Sequence, residues 1–312
     1  MAAKQSYDKS RIVLYEGDDD IRQTIKTTLI QATFTQTLAT SSLKTAQAAI
    51  FNDEADLMVV DIDNDMNEIC KMMRKIRHHQ IGKNPFPVSV ALISNSNVKQ
   101  IHQAVNSGFD ILLLKPFSMT TFLGRVHHLM HNRSPFAVTS NYIGPDRRLN
   151  ERNTGNQGSD KLITVPNPLA IMGSGKISVA QMNKGIKKAI IQLNERRVQA
   201  NGGKISVIIE EMASRYMLNE LDRKFVQNLE NLNLIGKDMD HRLRRSKFGH
   251  VAELCDTLHT VVSRVLKDPM QPVAKDIELL QNLGHAIDRA FKAETSEILA
   301  AQTIADPIRA SA

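Results

Sequence analysis

The sequence contains no tryptophan, and aromatic residues make up only 4% of its 312 residues. Apolar residues still account for 42% of the chain, so a buried core can form. Aliphatic side chains and the 13 methionines must then fill that core. At this length the chain can hold two domains.

Cysteines, long apolar runs and dense basic blocks are also scarce. Cys70 and Cys255 lie far apart in helix-like segments, which excludes a disulfide framework or a cysteine metal site and favours a reducing compartment. No apolar run approaches the roughly 18 residues of a transmembrane helix. The N-terminus lacks the apolar stretch of a signal peptide. The net charge is +7, but the sequence contains no dense basic block of the kind found in nucleic-acid-binding arms. We therefore expect a cytoplasmic protein without a membrane span.

Five strand-like runs alternate with helix-like segments in the first 133 residues. The third run is continuously apolar and the fourth is interrupted only by Ser89, which is typical of strands buried on both faces. The runs lie at residues 11–15, 34–39, 57–60, 88–93 and 111–114. This alternation predicts an α/β domain over residues 1–133, with a doubly wound five-stranded parallel sheet.

Polar side chains follow four of these strands. Glu16 and Asp18 follow the first strand, and Asp61, Ser94 and Lys115 follow the third, fourth and fifth. Right-handed crossovers bring these strand ends to one edge of the sheet, where ligands bind in such folds. Carboxylates there can share Mg²⁺, and a hydroxyl and an ammonium group can stabilise a phosphoryl group. In the alternative interpretation, Asp61 only caps a turn and Asp18 only caps a helix.

The pattern resembles the CheY-like receiver domain of two-component response regulators, over about residues 10–132. The resemblance is carried by the acidic turn Glu16-Gly17-Asp18, by VVDID at Asp61, by ALIS at Ser94 and by LLLKPF at Lys115. It implies a flavodoxin-like sheet, Asp61 as the phospho-acceptor, Ser94 as the hydroxyl switch residue and Lys115 as a contact to the phosphoryl oxygen.

The same resemblance implies a cofactor and a partner. The cofactor is Mg²⁺, with ligands at the carboxylates of Glu16, Asp18 and Asp61 and at the backbone carbonyl of Asp63. The phosphoryl donor is a sensor histidine kinase or a phosphotransfer protein, and the peptide bond before Pro116 is cis. The sequence departs from the family at Gly17, where a second acid is usual, and at Leu112, where an aromatic switch residue is usual. Asp63 and Asp65 are extra carboxylates, which could help to hold a cation or could repel an anionic phosphodonor.

Residues 134–176 are rich in Gly, Asn, Arg and Asp, and we interpret them as a polar, flexible linker. Residues 177–312 have helical apolar spacing and no strand-like run, which predicts an all-α bundle or a coiled-coil-like dimerisation unit. We expect a break between helices at Asn201-Gly202-Gly203. The best candidate for a helix-turn-helix is the turn at 233–236 and the basic stretch after it, with phosphate contacts from Arg242, Arg244 and Arg245.

Three functional hypotheses follow. The first is a response regulator that accepts a phosphoryl group on Asp61 and signals through a helical region used for protein interaction or homodimerisation. The second is a scaffold of the same fold that works without phosphorylation. The third and least favoured is a DNA-binding regulator. The helical region contains no glycine-rich nucleotide loop, catalytic acid pair or nucleophile elbow, so we expect no enzymatic output.

Overall fold

The computed structural model describes residues 7–52, 54–94, 97–147, 162–174, 177–243 and 248–309. The chain divides into two compact units, Met1–Ile190 and Ile191–Ala312. No helix within the described residues is long and apolar enough to cross a membrane. Cys70 and Cys255 are both buried and free.

The first unit contains a five-stranded parallel sheet, as predicted. Its strands are β1 Arg11–Tyr15, β2 Gln36–Thr40, β3 Leu57–Asp61, β4 Val88–Ile93 and β5 Ile111–Leu114. They are arranged in the order β2-β1-β3-β4-β5, which is one of the common doubly wound orders. Every residue of β3 and β4 is buried, because both strands are covered on both faces.

Five helices cover the two faces of the sheet. They are α1 Asp19–Gln31, α2 Leu43–Phe51, α3 Met66–Arg77, α4 Val98–Val105 and α5 Met119–His131. Side chains alternate between the faces along a strand, so Met58 and Val60 belong to the core that includes α2 and α3. Leu57 and Val59 belong to the core that includes α1 and α5. The carboxyl ends of all five strands therefore remain at one open edge.

Part of residues 134–176, where the sequence predicts a polar, flexible linker, has regular secondary structure. Strands β6 Phe136–Val138, β7 Ile143–Pro145 and β8 Leu162–Ile163 form an antiparallel sheet in the order β7-β6-β8, and α6 spans Pro168–Ser174. Residues 148–161 and 175–176 of the predicted linker lie outside the described residues.

A buried charge cluster explains why the start of this segment is ordered. Arg133, just after α5, donates from Nε to Asp110 Oδ1 at 2.8 Å, and Arg77 of α3 donates from Nη2 to Asp110 Oδ2 at 2.9 Å. The ring of Phe136 lies against both guanidinium groups, whose Cζ atoms are 4.9 and 5.1 Å from its centroid. Both arginines keep the pKa of Asp110 below its ordinary value, although burial opposes them. Ion pairing and cation–π contacts therefore fix β6 against the first unit's core.

The second part of the chain is helical, as predicted. Its helices are α7 Val179–Met217, α8 Arg223–Leu243, α9 Ala252–Val265 and α10 Ala274–Arg309. A continuous apolar core includes Ile209, Leu229, Leu258 and Ile287, which come from these four helices. Most of this core is aliphatic, as the scarcity of aromatic residues predicts, and Phe225, Phe248 and Phe291 are its aromatic members.

Two local predictions in this region are wrong. Helix α7 continues through Gly202 and Gly203, and α8 continues through 233–236, so the predicted helix-turn-helix has no turn. Arg242 is buried and donates to Asp238 at 2.8 Å and to Asn194 at 2.6 Å, so it does not face a DNA backbone. Arg244 and Arg245 lie outside the described residues.

Gly202 is explained by packing. A Cβ atom at Gly202 would lie only 2.3 Å from Cδ2 of Phe291 on α10, whereas a Cβ at Gly203 would meet nothing within 4 Å. The first glycine thus permits close approach of two helices, and the second has no such role.

The two neighbouring glycines should therefore respond oppositely to substitution. We expect Gly202→Ala to destabilise the helical unit by about 1–3 kcal/mol, because the Phe291 ring must move. Gly203→Ala should stabilise it by about 0.5–1 kcal/mol through helix propensity. Urea unfolding followed by circular dichroism measures both changes, and the same sign for both variants would contradict the packing account.

The buried charge cluster is tested with Asp110→Asn, which leaves two buried guanidinium groups without a counter-charge. We expect a loss of about 3 kcal/mol in the free energy of unfolding. Asp19→Asn, which removes an exposed ion pair with Arg22, should cost less than about 1 kcal/mol. Equal costs in denaturant unfolding would show that the buried cluster does not stabilise the unit.

Candidate functional site

Three charged side chains meet at the carboxyl edge of the parallel sheet. Glu16 follows β1, Asp61 ends β3 and Lys115 follows β5. Lys115 Nζ lies 2.7 Å from Glu16 Oε2 and 3.1 Å from Asp61 Oδ1. Glu16 is 1% exposed and Asp61 is 4% exposed. The peptide bond between Lys115 and Pro116 is cis, as predicted. One ammonium group therefore neutralises much of the charge of two buried carboxylates.

The electrostatics follow from burial and from this shared cation. Burial and the nearby Glu16 carboxylate raise the pKa of Asp61 to about 6, although Lys115 and the backbone amide of Asp63 oppose the rise. Burial alone would lower the pKa of Lys115, but its contacts with Glu16 and Asp61 outweigh burial and raise the pKa overall. The lysine therefore stays protonated near neutral pH, while Asp61 changes protonation state just below it.

Ser94 reaches the same edge but is bound to a different carboxylate. Its hydroxyl donates to Asp63 Oδ2 at 2.6 Å, and its backbone N–H lies 3.0 Å from each oxygen of that carboxylate. Asp63 Oδ2 also lies 4.0 Å from Lys115 Nζ. Five of the predicted site residues, Glu16, Asp61, Asp63, Ser94 and Lys115, are thus brought together.

Asp18 has the helix-capping role of the alternative interpretation. Its Oδ1 accepts a hydrogen bond from the backbone N–H of Ile21 at 3.0 Å, in the first turn of α1. Its own N–H donates to Glu16 Oε1 at 3.1 Å. Asp18 therefore stabilises the helix start and orients Glu16.

The residues present do not complete the predicted Mg²⁺ site. The carboxylates of Glu16 and Asp61 contact Lys115, and that of Asp18 caps α1. Within the part of the chain that the structure describes, no group of three or more His, Cys, Asp or Glu side chains is placed to hold a metal ion. Gly17 supplies no carboxylate, although a Cβ there would meet only Asn64 Nδ2, at 3.5 Å. A missing ligand, rather than a lack of space, weakens this position as a cation site.

The loop after β3 makes a second contact, which no sequence pattern indicates. The hydroxyl of Tyr15, the last residue of β1, donates to Asp65 Oδ2 at 2.6 Å. Burial, together with this carboxylate, raises the pKa of Tyr15. The partners are 50 residues apart in the sequence, so periodicity could not have paired them.

Three solved structures are similar to part of this chain. No protein-family model and no curated protein matches the chain. An orphan response regulator of H. pylori is 20% identical over 38% of this chain and 95% of its own, with a TM-score of 0.33. A response regulator from Thermotoga maritima is 20% identical over 38% and 96%, with a TM-score of 0.34. A signal receiver domain from Bermanella marisrubri is 23% identical over 41% and 100%, also with a TM-score of 0.34.

The sheet order decides the fold of residues 11–131. Its five parallel strands run β2-β1-β3-β4-β5 with helices on both faces. The N-terminal unit contains a receiver-type fold.

The raised pKa of Asp61 predicts a pH-dependent effect of Asp61→Asn. Folding raises the pKa of the Asp61 carboxyl from 3.8 to about 6, so ionisation of this group lowers the free energy of unfolding. The loss is absent below pH 3.8, grows as the pH rises toward 6 and stays constant above it. Because asparagine resembles the protonated acid, the variant should gain up to about 2 kcal/mol over the native chain between pH 4 and 7. Stability curves that stay parallel over this range would contradict the raised pKa.

The missing ligand predicts a gain of function at Gly17. Gly17→Asp should bind Mg²⁺ about tenfold more tightly than the native chain, because it adds a carboxylate beside Asp61. Gly17→Asn has the same size without the charge and should leave Mg²⁺ affinity unchanged. Isothermal titration of the full chain measures both variants. Equal affinity of the two would mean that the added carboxylate does not reach the cation.

Proposed function

We propose that this protein is a response regulator whose receiver-type unit accepts a phosphoryl group on Asp61 and signals through its helical region. The single observation that carries the proposal is the position of Lys115, whose ammonium group contacts Asp61 Oδ1 at the carboxyl edge of the sheet. Phosphoryl transfer depends mainly on positioning and on charge neutralisation, and this contact supplies both.

The contacts of Asp61 favour one oxygen as the nucleophile. Oδ1 accepts from Lys115 at 3.1 Å and from the backbone N–H of Asp63 at 3.3 Å, so we assign attack on phosphorus to Oδ2. The new bond joins Asp61 oxygen to phosphorus while the bond between phosphorus and the donor breaks. With acetyl phosphate the leaving group is acetate. With a sensor histidine kinase or a phosphotransfer protein it is the histidine nitrogen, which takes up a proton.

The acyl phosphate would change the charge balance of the site. It replaces one negative charge with about two, so the Lys115 ammonium is drawn toward the phosphoryl oxygens and away from Glu16. Such a change biases the unit between two conformations, as in other phosphorylation switches.

The output of the helical region is proposed to be protein interaction, without catalysis. Large apolar side chains are exposed on its helices, including Val207 on α7 and Leu234 on α8, at 63% and 64%. Exposed apolar side chains of this size support contact with a partner protein or with a second copy of the chain.

A phosphorylation-independent scaffold is the second candidate, and one observation favours it. Gly17 supplies no carboxylate where the resemblance implies a second acid, and the Lys115 ammonium group contacts the Asp61 carboxylate directly. A scaffold would keep partner binding and activity in vivo after Asp61→Ala, whereas a phosphorylated switch would lose its response.

Phosphorylation is tested on the full chain with acetyl phosphate, with and without Mg²⁺, by intact-mass spectrometry. We expect one added phosphoryl group on the native chain, none on Asp61→Asn, and at least about tenfold slower incorporation in Lys115→Ala because charge neutralisation is lost. Asp19→Asn serves as a control for removal of an acid elsewhere. If neither acetyl phosphate nor a phosphorylated phosphotransfer protein labels the native chain, the phosphorylation proposal is wrong.

A further inference from the structure

The two extra carboxylates after Asp61 each bind a hydroxyl on a neighbouring strand end. Asp63 accepts from Ser94, which follows β4, and Asp65 accepts from Tyr15, which ends β1. Both O–H···O distances are 2.6 Å, which is short and typical of hydrogen bonds to ionised acids. Both carboxylates therefore bind hydroxyl groups of the protein rather than standing open to a cation. Instead, each ties the loop after β3 to one side of the sheet edge.

The contact with Ser94 is the more extensive of the two. The carboxylate of Asp63 accepts from the Ser94 hydroxyl and, with both oxygens, from the Ser94 backbone N–H at 3.0 Å. A side chain that holds both polar hydrogens of one residue fixes the position and the orientation of that residue. In this arrangement the hydroxyl hydrogen points toward Asp63.

The Ser94 hydroxyl is also the group that the proposed function brings to the phosphoryl oxygens. It cannot donate to Asp63 and to a phosphoryl group at the same time, since a serine hydroxyl has one hydrogen. Resting on the proposed function, we infer that Asp63 is a positioning residue that holds Ser94 away from the acceptor in the unphosphorylated state. We call the Asp63–Ser94 contact the latch. Acceptance of a phosphoryl group on Asp61 then requires this contact to break.

Asp65 offers a matched comparison within the same loop. It carries the same charge, lies two residues further on and makes a hydroxyl contact of the same length. Its partner is Tyr15 rather than Ser94, so removing its charge weakens the loop's attachment without releasing Ser94. An effect of loop charge or loop mobility would appear in both variants, whereas an effect of the latch would appear only at Asp63.

The latch itself is tested without phosphorylation. In the unphosphorylated full chain, Asp63→Ala should speed hydrogen exchange of the Ser94 amide by at least about fivefold, the change that follows from the loss of one typical hydrogen bond. Asp65→Asn should leave that amide unchanged. If Asp63→Ala leaves the exchange rate unchanged, or both variants change it equally, Asp63 does not hold Ser94. Neither Asp63 nor Asp65 is part of an apolar core, and Asp65→Asn keeps the size of the side chain, so neither variant removes core packing.

The consequence for the switch is tested with acetyl phosphate as the probe. Asp63→Ala should raise the rate of incorporation by about fivefold over the native chain, and Asp65→Asn should not. In a Ser94→Ala background, Asp63→Ala should have no further effect on the rate, because the latch is already absent. An equal gain in that background would show that Asp63 acts through charge alone and would overturn the inference.

The two proposals fail in different ways. If no variant incorporates phosphate, the proposed phosphorylation is wrong, and the exchange rate of the Ser94 amide still decides whether Asp63 holds Ser94. If the native chain and Asp63→Ala incorporate phosphate at the same rate, the proposed function stands and the latch is refuted.

Discussion

The structure of the site depends on one ammonium group placed between two buried carboxylates. Glu16 follows β1 and Asp61 ends the neighbouring parallel strand β3, so the sheet order itself brings their negative charges together. Without a cation this repulsion and the cost of burial would favour protonation or local unfolding. Lys115 comes from the far side of β4, and its flexible stem lets it contact both acids. The same fold that creates the repulsion also supplies the charge that offsets it.

Much of the first unit could be predicted from its sequence, because parallel strands buried on both faces need nearly continuous apolar runs. The runs at 57–60 and 88–93 lie within β3 and β4, and the polar residues after them lie at one edge. The segment after α5 could not be predicted in the same way. Its polar composition suggested a flexible chain, yet Arg133 and Phe136 form part of a buried cluster with Asp110. An ion pair between distant residues leaves no periodic signal.

Glycines and acids in this protein show where local patterns mislead. Gly202 and Gly236 both lie inside continuous helices. A side chain at Gly202 would meet Phe291 and one at Gly236 would meet His259, so these glycines allow close helix packing rather than end a helix. Similarly, the number of carboxylates near Asp61 suggested a cation site, whereas three of the acids accept hydrogen bonds from a capping amide, a serine and a tyrosine. Positions at a sheet edge follow from topology, but hydrogen-bond partners depend on side-chain geometry that only the folded chain defines.

The central claim is that Lys115 neutralises an Asp61 carboxylate that burial and Glu16 would otherwise keep protonated. The most direct measurement is a carbon-13 NMR titration of the Asp61 side-chain carboxyl in the full chain without added metal. The account predicts a midpoint near pH 6, and a higher midpoint after Lys115→Met, which removes the cation. A midpoint near the ordinary value of 3.8, or one unchanged by Lys115→Met, would contradict it.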